Sequence, residues 1–563
     1  MWRQAVIYQI YPWTFYEDPK RKPQRGIGSL KGITQKLPYL REELGVDAIW
    51  LSPFYKSPMK DCGYDISSYV DIHPDLGDMD DFDKLIEKAH DLGLKIMIDF
   101  VANHTSDQHE WFQKSRKRQD GFDDWYIWHP GKKDEHGNRI PPNNWASVFS
   151  MPNKKARERG EFAELRPDEW TPPISAWQWD EERGEYYLHS FAKEQPDLNW
   201  SNPVVRQAMK DVMRFWLDKG VDGFRVDAIN WMGKNMSLED EQVNTAYSEE
   251  YYGNPYDQLL KANSCNYMNA LHQYIWEMCE VLREEQYENR DLRMILEAHM
   301  GESELRELNA IAPDVSSTFN FGAMKLKWSA PERRLQLDYY YENLDARNIG
   351  NQVNGNHDET RLASRLGDEV ARTAAVMNFF LPGMKFIYNG EELGLHNADV
   401  PLEKMRDHEN GFRDGERTPM IWDDRQENAG FSSADADQLW LPINTNDLGN
   451  SLARQENDPK SSFSLYRAAI KLAKEIEAFR SGAYRSVPTN NIDVFAFERK
   501  SGDDEALVLV NFSPNMQYVS VAAKFSQGKS VLSSVDVTLN PQEVNLTEGL
   551  HLQPNEAMVV LPV

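Results

Sequence analysis

Cysteine is scarce in this sequence. Its 563 residues include three cysteines, Cys62, Cys265 and Cys279. Three cysteines cannot form a complete set of disulfides, and no two of them have the C-x-x-C spacing of a zinc ribbon or a redox motif. We therefore expect neither a disulfide framework nor a structural zinc site.

The sequence also lacks long apolar runs and an excess of positive charge. Met1 to Gln4 lead directly into an apolar segment, without the basic and then apolar pattern of a signal peptide. The 63 Lys and Arg residues are outnumbered by 90 Asp and Glu residues, giving a net charge of -27. This charge argues against nucleic acid and against an anionic membrane as partners. We expect a cytoplasmic protein without a membrane partner; the choice between monomer and homo-oligomer stays open.

Short apolar runs typical of buried strands recur over the first 400 residues, several of them separated by amphipathic helical patterns. The predicted strands cover residues 5–10, 46–51, 95–99, 224–226, 294–297, 350–353 and 385–388. Repeated strand–helix units of this number predict an α/β fold, a (β/α)8 TIM barrel with a parallel sheet. An open doubly wound sheet is the alternative, but no G-x-G-x-x-G phosphate turn follows the first strand, and we expect no cofactor.

Two segments depart from the barrel pattern. Residues 105–179 are rich in Trp, Pro, Asn and charge, and they are too long for an ordinary loop. We interpret them as a small inserted domain after strand 3 of the barrel. From residue 484 the apolar residues alternate with a period of two, which predicts a C-terminal antiparallel β-domain. The predicted domains are therefore 1–104 and 180–483 for the barrel, 105–179 for the insert, and 484–563 for the β-domain.

Acidic residues recur where the predicted strands end. Asp99, Asp227 and Glu297 each follow an apolar run, and Asp358 comes soon after another; Arg225 lies two residues before Asp227, on the same face of its strand. In a parallel barrel these positions share one rim, where catalytic groups lie. Several carboxylates that converge with an arginine suit cleavage of a glycosidic bond, with one nucleophile and one proton donor. A structural ion pair is the alternative for Arg225 and Asp227 taken alone.

The motifs around these residues resemble a known family. The segments at 99–104, 223–227, 297 and 356–358 resemble, in order, the four signature regions of the α-amylase family, glycoside hydrolase family 13. Further segments at 61–65, 195–200 and 412–420 resemble its α-glucosidase and oligo-1,6-glucosidase branch. The resemblance extends over nearly the whole chain, and the motifs are specific because they occur together in this order.

The resemblance implies a role for each of nine residues. Asp227 would be the nucleophile, Glu297 the general acid and base, and Asp358 the stabiliser of the transition state. The implied substrate-binding residues are Asp61, Tyr64, His104, Arg225, His357 and Arg413. Among these, Tyr64 would stack under the glucosyl unit, while Asp61 and Arg413 would hold its non-reducing end.

The function implied is that of a retaining exo-acting α-glucosidase that removes glucose from short oligosaccharides such as maltose. A glucosyltransferase or a sucrose-acting enzyme would use the same residues, so that alternative stays open. A catalytically dead binding domain is disfavoured because Asp227, Glu297 and Asp358 are all present. The residue after the nucleophile resembles a linkage selector in this branch, and Ala228 there favours α-1,4 links over α-1,6 links.

One loop departs from the family pattern. Many relatives carry a calcium loop, D-x-N-x-D-G-x-G-D, soon after the first strand. Here Gln24 to Ser29 keep the glycines but place Arg25 and Ser29 where aspartates would stand. Calcium prefers six to eight oxygen ligands, so we expect no calcium at this loop. His104 and His109 do not have the H-E-x-x-H spacing, and we expect no zinc there.

Overall fold

The computed structural model describes residues 1–149, 174–246, 255–325, 327–407, 412–537 and 541–563. Its central feature is a sheet of eight parallel strands. In chain order the strands are Val6–Ile10, Ala48–Leu51, Lys95–Val101, Gly223–Asp227, Arg293–Leu296, Ser316–Thr318, Asn351–Val353 and Met384–Tyr388. The predicted (β/α)8 barrel is confirmed.

The barrel closes between its sixth and seventh strands. These are the two ends of the hydrogen-bonded order of the sheet. The Asn351 side chain joins them, because its Nδ2 donates to the Thr318 carbonyl oxygen at 2.7 Å and its Oδ1 accepts from the Asn320 N–H at 2.9 Å. A side-chain amide thus connects the two end strands of the sheet.

Seven of the eight barrel strands were predicted, and the sixth was missed. That strand, Ser316–Thr318, consists of three hydroxyl residues, all buried. It has no apolar run, so hydrophobic patterning gives no signal for it. The strand is placed in the sheet by its pairing with the buried residues Met294 to Leu296 of the preceding barrel strand.

Helices surround the barrel and connect its strands. The α-helices are Pro12–Phe15, Leu30–Pro38, Met79–Asp91, Glu110–Arg116, Pro203–Asp218, Met268–Leu282, Glu302–Ile311, Gly322–Lys325, Ala330–Asn343, Leu362–Leu366, Asp368–Phe380, Leu452–Gln455, Ser462–Glu475 and Glu477–Ser481. Leu30–Pro38 continues into a π-helical segment, Tyr39–Leu44. Among the described residues, no helix has the length and apolar character required to span a membrane.

The helix Pro203–Asp218 precedes the fourth barrel strand, and its sequence determines where the helix begins and where it ends. The Asn202 side chain caps its first turn by accepting from the Val204 N–H at 2.9 Å, and Pro203 fits the first helical position. The helix buries Val205 and Trp216 against the barrel. Gly220 then turns the chain at φ 101°, a left-handed conformation that favours glycine, into the fourth strand.

Side chains inside the barrel form two layers. The lower layer is apolar and includes Ile7, Trp50, Met97 and Ile295. Side chains alternate along a strand, so a residue two positions after an inward-facing one also faces inward. It lies nearer the C-terminal rim of the barrel. By this rule the third strand places Asp99 above Met97, and the first places Gln9 above Ile7. The polar layer above the apolar core therefore lies under the catalytic rim.

Short antiparallel strands lie in the segment that interrupts the barrel. Trp128–His129, Glu185–Leu188 and Trp177–Asp180 form a three-stranded sheet, and Lys132–Lys133 pairs with Arg139–Ile140. Another pair, Tyr55–Lys56 and Ser68–Ile72, follows the second barrel strand. Residues 150–173 of the expected insert lie outside the described residues. The boundaries of this domain stay a prediction.

The C-terminal β-domain is confirmed as antiparallel. Its strands are Ala483–Val487, Val494–Ser501, Asp504–Asn511, Gln517–Val519, Gln527–Ser533, Gln542–Asn545, Leu550–Leu552 and Ala557–Pro562. Six of them form one sheet and the other two form a separate pair. The domain contacts the barrel helix Asp368–Phe380, where Arg372 Nε donates to the Ser534 carbonyl oxygen at 3.1 Å.

Candidate active site

A cavity of about 280 Å³ opens at the C-terminal rim of the barrel. Seven of the nine residues expected at the site line it: Asp61, Tyr64, His104, Asp227, Glu297, Asp358 and Arg413. The other two, Arg225 and His357, lie beneath it and contact those residues. The structure thus brings all nine residues together from loops and strands far apart in the sequence.

Arg225 lies at the centre of the polar layer and is 1% exposed. Its Nη1 donates to Asp99 Oδ1 at 2.6 Å and to Asp227 Oδ1 at 2.8 Å, and its Nη2 lies 2.7 Å from Glu297 Oε2. The register explains the first contact, because Arg225 pairs with Asp99 on the adjacent strand. One guanidinium therefore holds three carboxyl groups, and two of them face the cavity.

Asp358 is held by two other arginines. Arg413 Nη1 and Arg417 Nη2 both donate to its Oδ1 at 2.8 Å. Arg417 Nε also donates to the carbonyl oxygen of His357 at 2.8 Å, which fixes the backbone beside Asp358. The second oxygen, Oδ2, lies 3.3 Å from His357 Nε2. Asp358 is therefore fixed in position with its charge balanced by cations.

Tyr64 and His357 form a stacked pair at the floor of the cavity. Their ring centroids are 5.4 Å apart with an interplanar angle of 7°, and Tyr64 Oη lies 2.6 Å from His357 Nε2. Gln9 Nε2 lies 2.7 Å from the other ring nitrogen of His357. Tyr64 Oη also lies within 3.3 Å of Asp99 Oδ2, which accepts from Trp50 Nε1 at 3.0 Å. The floor is thus one connected hydrogen-bond network.

A pair of charged residues joins two loops in the lining of the cavity. Arg413 Nη2 donates to Asp61 Oδ1 at 2.8 Å, joining loops 352 positions apart. Gln195 Nε2 donates to Asp61 Oδ2 at 2.9 Å and lies 3.0 Å from His104 Nε2. Asp407 supports Arg413 from behind, accepting from its Nε at 2.8 Å. The Asp61–Arg413 pair therefore bridges two loops in the lining of the cavity.

The cavity lining also has an apolar part, which reaches the charged pair where Arg413 lies over the Phe149 ring at 5.8 Å. Its lining residues include Phe149, Phe191, Trp231, Phe321 and Met324. Ala228 packs in one cluster with Trp231 and Phe191, and its backbone has a left-handed conformation with φ 46° and ψ 44°. Its N–H donates to Glu297 Oε2 at 3.0 Å. The residue after Asp227 thus contacts the second carboxyl group of the site.

Burial and mutual repulsion make the carboxyl cluster retain a proton. Burial raises the pKa of Asp227 well above its usual value; the nearby Arg225 opposes this, and the charges of Glu297 and Asp99 add to it. Burial also raises the pKa of Asp99, to about 6, against the effect of Arg225. Burial acts in the same direction on Glu297, but Arg225 and His299 outweigh it and lower its pKa to about 2. Because Asp227 and Glu297 repel each other across Arg225, their protons leave in steps that belong to the pair.

The remaining groups have fixed charges near neutral pH. Burial opposes ionisation of Asp358, but His357, Arg413 and Arg417 outweigh it and hold the pKa of Asp358 well below its usual value. Burial lowers the pKa of His104 to about 4 and that of His357 to about 3. Asp358 is therefore an anion, and both histidines are neutral.

Comparison with known proteins identifies the family. The sequence profile of the α-amylase catalytic domain matches residues 9–482. The chain belongs to the α-amylase family. It is 37% identical to an α-glucosidase of Apis mellifera, over 92% of this chain and 86% of that protein. It is 34% identical to an oligo-1,6-glucosidase of Parageobacillus thermoglucosidasius, over 99% of this chain and 98% of that protein.

Solved structures of the α-amylase family match the whole chain. The α-glucosyl transfer enzyme XgtA has a TM-score of 0.84 and 33% identity, over 100% of this chain and 99% of that one. The trehalulose synthase MutB of Pseudomonas mesoacidophila has a TM-score of 0.81 and 30% identity over the same shares. A variant of MutB has been solved with the substrate sucrose. The family resemblance expected from the motifs is confirmed.

The loop that binds calcium in many α-amylase family members is held here by protein groups. The N–H groups of Arg25 and Gly26 donate to the Glu17 carboxylate at 2.8 and 3.0 Å, and Ser432 Oγ donates to it at 2.5 Å. Arg25 forms an ion pair with Asp75. Calcium needs oxygen atoms that face the ion, whereas the Glu17 oxygens here accept hydrogen bonds from the loop. These residues therefore do not fit calcium. Within the described parts of the chain, no His, Cys, Asp or Glu group of three or more could hold a metal ion.

Three residues of this α-amylase family site were not singled out from the sequence. Arg417 contacts Asp358, Asp407 supports Arg413, and Trp50 donates to Asp99. Arg417 lies in the motif at 412–420, which was a signal for it. Trp50 lies in a predicted strand two positions after Ala48, where an inward direction could be inferred. Asp407 lies in a loop that contains both acidic and basic residues in no recognisable pattern. Its contact with Arg413 is therefore seen only in the folded structure.

Proposed function

We propose that this α-amylase family protein is a retaining exo-acting α-glucosidase that acts on short α-linked glucosides. The observation that carries the proposal is the Arg225 guanidinium, which holds Asp227 and Glu297 side by side at the cavity. Retaining glycosidases need their two carboxyl groups close together, about 5–5.5 Å apart, because one of them attacks the sugar directly. Two carboxylates bound to adjacent nitrogens of one guanidinium support that arrangement.

In the first step Asp227 is the nucleophile. Its carboxylate attacks the anomeric carbon of a terminal α-glucosyl unit, and the bond from that carbon to the glycosidic oxygen breaks. Glu297 gives its proton to the leaving oxygen, so the aglycone departs as a neutral alcohol. The products are a β-linked glucosyl ester on Asp227 and an ionised Glu297.

The second step reverses these roles. Glu297 takes a proton from water, and the resulting hydroxide oxygen attacks the anomeric carbon from the α face. The ester bond to Asp227 breaks, which releases α-glucose and restores the proton on Glu297. Two inversions at one carbon give net retention.

The free site carries the proton that this chemistry requires. The protons of Asp227 and Glu297 leave in steps that belong to the pair, and the first chemical step needs a proton on Glu297 while Asp227 is ionised. The Arg225 contact to Asp227 at 2.8 Å supports the anionic nucleophile once substrate is bound. Asp358 stays ionised through its arginines, and its negative charge suits an oxocarbenium-like transition state.

The floor and end of the cavity suit a single glucosyl unit. Tyr64 presents a ring for stacking against the sugar, and neutral His104 and His357 offer ring nitrogens for hydrogen bonds to its hydroxyl groups. Asp61 and Arg413 together offer an acceptor and donors for vicinal hydroxyls at the non-reducing end. The ion pair joins the two loops behind the first sugar, so we infer that it blocks a longer chain there and favours release of glucose from chain ends over cleavage within a polymer.

We infer a preference for α-1,4 links from Ala228, whose small side chain leaves space beside the aglycone. A glucosyltransferase is the second candidate, because the α-glucosyl transfer enzyme and the trehalulose synthase share the fold at 33% and 30% identity. The two candidates differ in which acceptor attacks the glucosyl ester. Water gives hydrolysis, and a sugar hydroxyl gives transfer.

Product analysis tests the proposal. Purified protein is incubated separately with maltose, isomaltose, sucrose, trehalose and starch, and the products are followed by chromatography from the earliest time points. We expect glucose from maltose, slower release from isomaltose, and little action on starch. New oligosaccharides at high substrate concentration would favour the transferase. Absence of activity on all α-glucosides, including an aryl α-glucoside, would refute the proposed function.

A further inference from the structure

The two oxygens of Glu297 differ in their surroundings. Oε2 receives two donors, Arg225 Nη2 at 2.7 Å and the Ala228 N–H at 3.0 Å. Oε1 is approached instead by His299 Nε2, at 3.4 Å. An oxygen that already accepts two hydrogen bonds is poorly suited to carry a proton. The proton that Glu297 exchanges with substrate therefore belongs on Oε1, beside His299.

His299 is held in place by its surroundings. Its ring stacks on Phe321, with centroids 5.4 Å apart and an interplanar angle of 15°, and meets the Trp231 ring edge-on at 6.0 Å. Its backbone N–H donates to Asn230 Oδ1 at 3.2 Å. The side chain is 41% exposed, so water reaches it while the ring keeps its direction.

We propose that His299 is a positioning residue whose Nε2–H donates to Oε1 of Glu297 and thereby lowers the upper pH limit of the reaction. The proposal rests on the proposed function, in which Glu297 is the acid. A donor at Oε1 stabilises the ionised carboxylate relative to the carboxylic acid. The first chemical step needs the acid, so this contact lowers the pH at which the acid is lost.

The positive charges and hydrogen bonds around Glu297 act on its pKa in the same direction. Burial raises the pKa of Glu297, Arg225 lowers it most, and His299 lowers it further. Other charged or titratable groups also face the pair: Asp99, Asp227, Asp358, Glu359 and Lys261 around the main cavity, and Glu302 and Arg306 in the smaller cavity behind His299. All of them remain when His299 alone is replaced. A difference between the two proteins therefore reports the imidazole.

The test is the pH dependence of kcat/KM for hydrolysis of an aryl α-glucoside. His299→Phe keeps an aromatic ring on Phe321 but removes the donor, and His299→Asn is too short to reach Oε1. We expect both variants to move the basic limb of the profile upward by roughly 0.5–1 pH unit, the net effect of one ordinary hydrogen bond. His299→Gln keeps a neutral donor, and we expect a smaller shift.

His272→Phe is the matched control, because it makes the same replacement at a half-exposed histidine that lies near Glu307 on the outer helices. We expect it to leave the limb unchanged. An unchanged limb in both His299→Phe and His299→Asn would overturn the proposal and assign the ring to packing alone. Retained activity in Glu297→Gln would instead refute the role of Glu297 as the general acid, and the role proposed for His299 would then be refuted as well.

Discussion

The Arg225 guanidinium donates to Asp227 Oδ1 at 2.8 Å, from a residue two positions earlier on the same strand. Because both side chains point to the barrel interior, one short strand supplies the proposed nucleophile and its cation. Burial raises the pKa of Asp227 and this contact opposes that effect, so it favours the anionic nucleophile that the proposed mechanism requires.

Replacing Asp227 by asparagine removes the nucleophile while preserving size. We expect turnover of an aryl α-glucoside to fall by about four powers of ten, because no glycosyl ester can form. The melting temperature should not fall, since burial of the native carboxyl is itself unfavourable. Steady-state kinetics and thermal unfolding measure the two effects. Near-normal activity in this variant would contradict the mechanism.

Asp61→Asn tests the charged pair in the lining of the cavity. The change should lower kcat/KM for maltose about 30- to 1,000-fold, equivalent to roughly 2–4 kcal/mol for lost charged hydrogen bonds. Arg413 keeps Asp407 in this variant, so little stability should be lost. Arg413→Ala should lose similar activity and also stability, because it leaves the Asp407 side chain buried without its cation. Equal activity in Asp61→Asn would assign the pair a structural role only.

Ala228→Val tests the linkage preference. The added methyl groups narrow the aglycone side, and we expect the ratio of maltose to isomaltose cleavage to fall about 10-fold or more. A β-branched residue is also strained at φ 46°, so the melting temperature should fall. Ala228→Gly is the control, because glycine accepts this conformation and adds no bulk. An unchanged ratio in the valine variant would refute a selector role for this position.

Glu416→Gln tests a buried carboxyl outside the cavity. Burial raises the pKa of Glu416 to about 8 from an ordinary value of 4.5, with Arg417 opposing. Between these two pH values the folded state keeps a proton that the unfolded state releases, so stability falls as pH rises. Glutamine can still accept from Asn397 Nδ2 and does not titrate. The variant should therefore lose less stability than the wild type between pH 5 and 8, by on the order of 3 kcal/mol. Parallel denaturant titrations at both pH values measure this, and identical losses would contradict it.

Most of the barrel strands could be predicted from the sequence, because a strand that is buried on both faces consists of a run of apolar residues. The exception, Ser316–Thr318, is buried without being apolar, so its place follows from the register of its neighbour. The position of carboxylates at the ends of strands, such as Asp227 and Glu297, was also predictable, because the C-terminal ends of parallel barrel strands lie at one rim. Asp407 and His299 were not, because their contacts depend on how loops pack across the cavity.

The stereochemistry of the first product tests the central claim most directly. Wild-type protein is mixed with an α-glucoside in an NMR tube, and the anomeric proton signals of released glucose are recorded before mutarotation advances. A double displacement through Asp227 predicts α-glucose first, with the β-anomer growing only at the rate of mutarotation. Initial release of β-glucose would show a single displacement and contradict the account.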